Sequence, residues 1–420
     1  MKQDILHIAQ VTAGISNQSS PYRLCKAFNG IGVDAQLVTL DSSVDSDYVT
    51  VIKRSFGYRI LRKLDDWLIR IEKGLLYVID CGIPFSYYHV GVNIIKEEKV
   101  RNADIIILHW ICGAYISPSG VKRLIKLGKP IIMVCHDNWH FTGGCHVRLG
   151  CEKYKDACGK CPELHSKFYY DWSYRLLRKK KRCIRGNKIA IVSPSRWMDE
   201  NVADSSLFHE FKHYIIPNTV DTELFYDKQE KKLRYQNKIS DDTIVLAFGA
   251  MNAVSNPYKG YSELISALKI LEEKMREITI EAIVFGKADG EKRNTGIKMH
   301  YLGFLSEKQM VDVYNCADIY VVPSLEDSFN NTVIESMACK TPVVAFKTGG
   351  IVDIIDHKYN GYLADYGNIE DLAKGIEWII KNNDNNCLGE RGREKVLDKF
   401  SGNVVAQKYV DVCKMLINDR

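Results

Sequence analysis

Short β-branched apolar runs alternate with longer segments of helical apolar spacing along most of the chain. This alternation is typical of parallel sheets whose strands are joined by crossover helices. A first set of strands is predicted at residues 5–9, 35–39, 105–108, 131–134, 189–192 and 214–216. A second set is predicted at residues 244–248, 280–285, 319–322 and 343–346. The pattern therefore predicts an α/β protein with two Rossmann-like sheets.

The boundary between the two sheets is predicted at the turn-rich residues 217–221, which precede a highly charged stretch at 227–238. A chain of 420 residues is also longer than one ordinary hydrophobic core supports. We therefore expect domains at residues 1–217 and 218–400, with a cysteine-rich insertion at 141–165 and a terminal helix within 401–420.

Composition indicates a globular protein, with 46% hydrophobic and 26% charged residues. No apolar run approaches the ~18 residues that span a bilayer, and the first residues do not resemble a signal peptide, so a cytoplasmic location is expected. The net charge of +6 suits a surface facing acidic lipid or a phosphorylated substrate. It does not call for a nucleic-acid partner, and none is expected.

The block from residue 319 to residue 350 carries the strongest chemical pattern. A buried strand is followed by a turn containing Glu326 and Asp327, by a helix containing Glu335, and by a second strand that ends before Gly349 and Gly350. A carboxylate suits a vicinal diol, and the free N–H groups at a helix start favour a diphosphate. The glycines allow the backbone to approach a phosphate closely.

This block resembles the donor-binding segment of glycosyltransferase family 4. The run from His136 to Cys145 resembles the bacterial exopolysaccharide branch of that family, the colanic-acid type, and further matches cover nearly the whole chain. The resemblance implies the GT-B fold, in which two Rossmann-like domains face each other across a central crevice. It also implies that the last helix crosses back to pack on the first domain.

The resemblance implies specific roles for residues of this chain. Glu335 would hold the donor ribose, and Asp327 would contact the donor sugar, although Glu326 stands one residue earlier and is an alternative. His136 would lie beside the reacting sugar, and Lys259 would contact the diphosphate. Backbone at the remaining positions would line the donor or acceptor site, namely Gly14, Gly303, Gly349 and Gly350.

Three departures from the family pattern stand out. The first position of the paired acidic motif is the shorter Asp327, and the glycine pair expected after the first strand is reduced to Gly14. The arginine that usually joins the lysine at the diphosphate is missing, because Met251 and Asn252 stand there.

The activity implied is a retaining transfer of a sugar from a UDP- or GDP-linked donor to a growing surface glycan or lipid-linked acceptor. The front-face mechanism of the family needs no catalytic metal. Residues 1–217 would form the acceptor domain and residues 218–400 the donor domain. A sugar-nucleotide epimerase of the same fold and a catalytically silent scaffold of a glycan-assembly complex are the alternatives.

Four cysteines, Cys145, Cys151, Cys158 and Cys161, lie within the predicted insertion. Four thiolates suffice for a tetrahedral structural zinc site, and one pair has the Cys-x2-Cys spacing of a zinc knuckle. Free thiols in an ordered loop and a redox-sensitive disulfide are alternatives that the sequence leaves open.

Two basic stretches, residues 53–73 and 178–182, are candidates for contact with the inner membrane surface. The first combines cations with apolar residues at helical spacing, which suits a peripheral helix on an anionic leaflet. A helix with a core-facing apolar side and a solvated basic side is the alternative.

Overall fold

The structure is a computed structural model that describes residues 5–75, 84–184, 189–249, 256–286 and 295–418. The chain divides into two compact units. The first comprises Met1–Pro217 together with Val405–Arg420, and the second comprises Asn218–Val404.

The first unit is built on a seven-stranded parallel sheet in the order β5–β3–β1–β6–β7–β8–β9. The central strands β6 and β7 are buried along their whole length, as their uninterrupted apolar sequences predict. The strands of this unit are β1 (His7–Val11), β2 (Gly14–Ile15), β3 (Asp34–Thr39), β4 (Asp41–Ser42), β5 (Val49–Val51), β6 (Ile105–Leu108), β7 (Ile131–Val134), β8 (Ile189–Ser193) and β9 (Lys212–Ile215).

Helices cover both faces of this sheet, because each face carries its own cluster of buried apolar side chains. The helices are α1 (Ser20–Gly30), α2 (Phe56–Leu75), α3 (Glu98–Asn102), α4 (Pro118–Ile125), α5 (Trp172–Ile184) and α6 (Arg196–Ala203). Short 3-10 turns lie at Ile94–Lys96, Asn138–His140, Lys153–Lys155 and Pro162–Leu164.

The second unit contains a six-stranded parallel sheet in the order β12–β11–β10–β13–β14–β15. Its strands are β10 (Ile244–Gly249), β11 (Ile280–Phe285), β12 (Lys298–Gly303), β13 (Ile319–Val322), β14 (Val343–Phe346) and β15 (Gly361–Ala364). Its helices are α7 (Lys232–Gln236), α8 (Tyr261–Lys274), α9 (Glu307–Cys316), α10 (Asn331–Ala338), α11 (Ile351–Ile354), α12 (Ile369–Asn382) and α13 (Cys387–Lys399). Further 3-10 turns lie at Pro257–Lys259 and Asp384–Asn386.

The last helix, α14 (Gly402–Asn418), contributes its apolar stripe to the core of the first unit. Val405, Tyr409 and Val412 are buried in the same cluster as Phe28 of α1, and the rings of Tyr409 and Phe28 meet edge to face at 5.9 Å. The chain after residue 404 thus completes one face of the first sheet.

The predicted α/β class is confirmed, and strands occur at each predicted position. Prediction missed β5, β12 and β15, which are all edge strands, as well as the two-residue strands β2 and β4. Within the described residues, no helix is long and apolar enough to cross a membrane.

Candidate functional site

The proposed donor residues of the second unit lie after adjacent strands. Lys259 follows β10, Asp327 follows β13, and Gly349 and Gly350 follow β14, and these three strands are neighbours in the sheet. Ligands of doubly wound sheets bind beyond the carboxyl ends of the strands. The fold therefore gathers these residues at the edge where a ligand is expected.

Lys259 and Asp327 form a partly buried ion pair. The Lys259 Nζ lies 2.8 Å from the Asp327 Oδ2, and the side chains are 20% and 12% exposed. Burial lowers the pKa of Lys259, but the Asp327 carboxylate more than offsets this, so its pKa lies above the usual value. Asn330 Nδ2 also donates to Asp327 Oδ2, at 3.1 Å, which fixes the carboxylate in place.

Glycines let the neighbouring loops approach the backbone around Asp327. Gly349 has a φ of +52°, and a Cβ there would lie 1.9 Å from the Asp327 carbonyl oxygen. The next residue, Gly350, donates its N–H to that same oxygen at 3.0 Å. Gly260, with a φ of +75°, lies equally close to Pro323, where a Cβ would come within 1.8 Å of the carbonyl oxygen. Larger residues at either glycine would push these loops apart.

Glu335 lies inside α10 and is only 2% exposed. Its Oε2 accepts a hydrogen bond from the hydroxyl of Tyr314 at 3.0 Å. Burial, together with the nearby Glu335, raises the pKa of Tyr314 well above its usual value, so the phenol remains a donor. An ordinary solvent-facing glutamate is therefore excluded at this position.

The other predicted donor-site positions are less closely grouped. Glu326 is half-buried beside Asp327. Gly303 ends the edge strand β12 with a φ of +68°, and its carbonyl oxygen accepts from the Gly286 N–H at 2.7 Å. Met251 and Asn252, where the family arginine is missing, lie outside the described residues.

In the first unit, a chain of three polar side chains crosses neighbouring strands. Gln10 lies on β1, His109 directly follows β6, and His136 follows β7. His109 is fully buried, with its Nδ1 2.9 Å from the Nε2 of His136 and its Nε2 2.8 Å from the Gln10 amide. His136 was predicted from the sequence, whereas Gln10 and His109 were not. Their polar character within or just after a buried apolar strand was the available signal.

The surroundings of Gln10 determine how the protons are arranged along this chain. With its amide nitrogen toward His109, Gln10 donates to the His109 Nε2 and to the Pro21 carbonyl, and its oxygen accepts from the Cys25 N–H at 3.2 Å. Burial lowers the pKa of His109 well below its usual value, so the ring is neutral. Its proton is therefore on Nδ1, which donates to the Nε2 of His136. A neutral His136 then carries its own proton on Nδ1.

A second network adjoins His136. Asp137 Oδ2 lies 2.6 Å from the Nδ1 of His146 and accepts from the Trp110 indole N–H at 3.1 Å. Burial raises the pKa of Asp137, but His146 more than offsets this and the net pKa is lowered. The side chains of His136 and Asp137 are therefore both held by residues that follow β6, namely His109 and Trp110.

Two further predicted features of the first unit, Gly14 and the basic block at 178–182, have different environments. Gly14 is exposed, begins the two-residue strand β2 and pairs with Asp41 of β4. Lys180, in the middle of the basic block, is buried and donates to the carbonyl oxygens of Trp139 and Thr142. Lys180 therefore does not contribute to a surface at residues 178–182, and membrane contact by this block stays a prediction.

The four clustered cysteines line one cavity, which Thr142 and Ser173 also border. Among the described residues the thiols are free, and no group of three or more His, Cys, Asp or Glu side chains is placed to hold a metal ion. Zinc binding by Cys145, Cys151, Cys158 and Cys161 therefore stays a prediction, which elemental analysis of the purified protein would test.

Comparison with known proteins defines the class. Residues 228–395 match the family model described as glycosyl transferases group 1. An uncharacterized glycosyltransferase of Methanocaldococcus jannaschii is 25% identical over 372 residues, which cover 80% of this chain and 89% of that one. The lipopolysaccharide 1,2-N-acetylglucosaminetransferase of Salmonella typhimurium is 26% identical over 48% of this chain and 56% of its own length.

Comparison with solved structures identifies the fold. The crystal structure of the Anabaena protein HepE in complex with UDP and glucose superimposes with a TM-score of 0.65 and 16% identity, covering 98% of this chain and all of that one. The fold is GT-B. The chain is an enzyme, a glycosyltransferase whose second unit contains the group 1 segment.

Proposed function

We propose that this glycosyltransferase takes a nucleotide sugar as donor and transfers the sugar, with retention of configuration, to a growing surface glycan. The observation that carries the proposal is the Lys259–Asp327 ion pair, which lies at the ends of adjacent strands. The backbone of Asp327 is in close contact with Gly349, and the helix that follows contains the buried Glu335. This arrangement lies within the segment that matches group 1 glycosyl transferases. The specific assignment to family 4 and its exopolysaccharide branch belongs to the same proposal.

Within the second unit, Lys259 would bind the diphosphate. A charged lysine that exchanges its bond to Asp327 for one to a phosphate offsets the negative charge that develops on the leaving group. Asp327 would then accept hydrogen bonds from the donor sugar hydroxyls, and Glu335 would accept from the ribose. The HepE structure, which contains UDP, supports a nucleotide donor.

In the proposed step, the acceptor hydroxyl oxygen forms a bond to the anomeric carbon on the face from which the nucleoside diphosphate departs. The bond between that carbon and the phosphate oxygen breaks, and its electron pair leaves with the diphosphate. The proton of the acceptor hydroxyl passes to the departing phosphate. No protein base is required.

His136 would act as a hydrogen-bond donor to the sugar. Its Nε2 is engaged as the acceptor from His109, so the proton that it would donate to a bound sugar is the one on Nδ1. His109 and Gln10 are positioning residues in this proposal, because they act through His136.

A surface glycan is proposed as the acceptor because of the relatives' chemistry. The Salmonella relative is named for lipopolysaccharide, and a Staphylococcus aureus relative, 24% identical over 51% of this chain, is named for capsular polysaccharide biosynthesis. We place the enzyme on the cytoplasmic face of the membrane, where nucleotide sugars and lipid-linked acceptors meet.

The test is a mass-spectrometric transfer assay that combines UDP- and GDP-sugars with a library of lipid-linked acceptors. Wild-type enzyme should transfer one sugar, and Glu335→Gln should reduce the rate by about ten- to a hundredfold, because an amide loses charge-assisted hydrogen bonds. Glu273→Gln, at an exposed position on α8, is the matched control and should be unaffected. Full activity of the Glu335 variant would refute the donor site.

The same assay separates the alternatives. An epimerase would convert the nucleotide sugar without any acceptor. A silent scaffold would bind the donor and transfer nothing across the whole library. Either result would overturn the proposal.

A further inference from the structure

Helix α2 is attached to the rest of the first unit by hydrogen bonds along one stripe of the helix. The Tyr58 hydroxyl donates to the Ala114 carbonyl at 2.9 Å. The Asp65 carboxylate, 2% exposed, accepts from the backbone and the ring of His89, with the Nδ1 at 2.6 Å. Glu72 accepts from the indole N–H of Trp172 at 2.7 Å. These anchors recur every seven residues, so they lie along a single side of the helix.

The side of α2 next to this stripe is apolar and exposed. Phe56 is 78% exposed, Trp67 is 59% exposed and Leu61 is 54% exposed. Among the side chains that the structure describes, this face consists of Phe56, Ile60, Leu61, Leu64, Trp67, Leu68 and Ile71. At 3.6 residues per turn these side chains occupy an arc of about 140°. The interpretation of this apolar face as core-facing is therefore wrong.

Cations border this face. Arg59, Lys63 and Arg70 are exposed and project from the helix on one edge of the apolar arc. A contiguous apolar stripe of this size marks an interaction surface, and monomeric proteins rarely expose one without a partner. The basic edge is complementary to a negatively charged surface.

We propose that α2 docks on a membrane surface that contains anionic lipid headgroups. An interfacial helix buries its apolar face at the level of the acyl chains and places its cations among the headgroups, which is the arrangement that α2 presents. At ~1.5 Å per residue its 20 residues extend for about 30 Å, all of it attached to the first unit along one side. This surface depends on α2 alone and is independent of the proposed reaction.

The experiment is co-sedimentation of the full chain with phosphatidylcholine vesicles that contain or lack phosphatidylglycerol. Binding should require phosphatidylglycerol and should weaken as salt is raised, because salt screens the headgroup charge. The double variant Leu64→Ser/Trp67→Ser should bind these vesicles at least about tenfold more weakly than wild type does. Tyr235→Ser, which removes an aromatic side chain that is 75% exposed in the second unit, is the matched control and should bind as wild type does.

Two further measurements test whether α2 itself enters the bilayer and whether a second copy of the chain covers its apolar face. Trp67→Phe should bind vesicles as wild type does. The blue shift of tryptophan fluorescence on adding vesicles should be smaller in this variant, because Trp67 no longer contributes to it. Light scattering should show the same molar mass for wild type and the double variant without vesicles. Equal vesicle binding by the double variant would overturn the proposal, as would a wild-type dimer that the variant dissociates, since a second copy would then cover the face.

Discussion

At the residue scale, the acidic motif shows that sequence spacing locates the carboxylates of a site, whereas packing determines the environment of each one. The sequence placed Glu326, Asp327 and Glu335 near one another but could not distinguish their environments. The structure attaches Asp327 to Lys259 and buries Glu335 against Tyr314, and both contacts depend on residues remote in the chain. A pairing across 68 residues cannot be obtained from local spacing.

Asp327 and Glu326 can be separated by matched amide substitutions. Asp327→Asn should lower transfer by about ten- to a hundredfold, since it removes the charge that Lys259 and Asn330 hold in position. Glu326→Gln should leave the rate within about threefold of wild type. Steady-state transfer rates of the two purified variants provide the comparison. A larger loss in the Glu326 variant would exchange the two roles.

The protonation of His136 is a second prediction at this scale. Because Gln10 fixes His109 as the Nδ1–H tautomer, neutral His136 should carry its proton on Nδ1. Nitrogen-15 chemical shifts of the histidine rings measure this directly. Gln10→Glu should reverse the relay, because a carboxylate accepts from the His109 Nε2–H, and transfer should slow. A wild-type His136 protonated on Nε2 would contradict the account.

At the element scale, the buried strands were predictable, whereas three of the four edge strands of the two large sheets were not. The strands β6, β7, β13 and β14 have continuous apolar sequences because both of their faces are covered. The missed strand β12 is half-exposed along nearly all its length, so its sequence does not show an apolar run. Edge strands depend on pairing with a neighbour, which local periodicity does not encode.

A buried histidine in the 3-10 turn at Asn138–His140 should make stability depend on pH. Burial lowers the pKa of His140 to about 4, and its Nε2 donates to the His109 carbonyl oxygen at 2.5 Å. The unfolded chain, with a pKa near 6.5, binds more protons than the folded chain between these two values. The free energy of unfolding should therefore fall by up to ~3 kcal/mol as pH drops from about 6.5 to about 4.

Urea unfolding across this pH range measures the effect. His140→Gln keeps a donor for the carbonyl oxygen and removes the titrating group, so its stability should change less with pH. His209→Gln, at a side chain that is 55% exposed, serves as the control and should behave as wild type. A pH dependence that is the same in all three proteins would show that His140 is not responsible.

At the scale of the whole molecule, α14 links the end of the chain to the core of the first unit. Tyr409→Ala should destabilise that unit by ~3–5 kcal/mol, because it leaves a cavity beside Phe28. Met415→Ala, at a side chain that is 47% exposed on the same helix, should change stability by less than ~0.5 kcal/mol. Hydrogen exchange should show the loss in α1 and β3, and unchanged protection there would argue against this packing.

The most direct test of the central claim is the configuration of the product. The one-bond NMR coupling between the anomeric carbon and its hydrogen, measured on the transferred sugar, gives the configuration of the new glycosidic bond, which does not anomerise once formed. With an α-linked nucleotide sugar as donor, the account predicts an α-linked product, because the acceptor attacks the face from which the diphosphate leaves. A β-linked product would contradict the retaining, front-face mechanism.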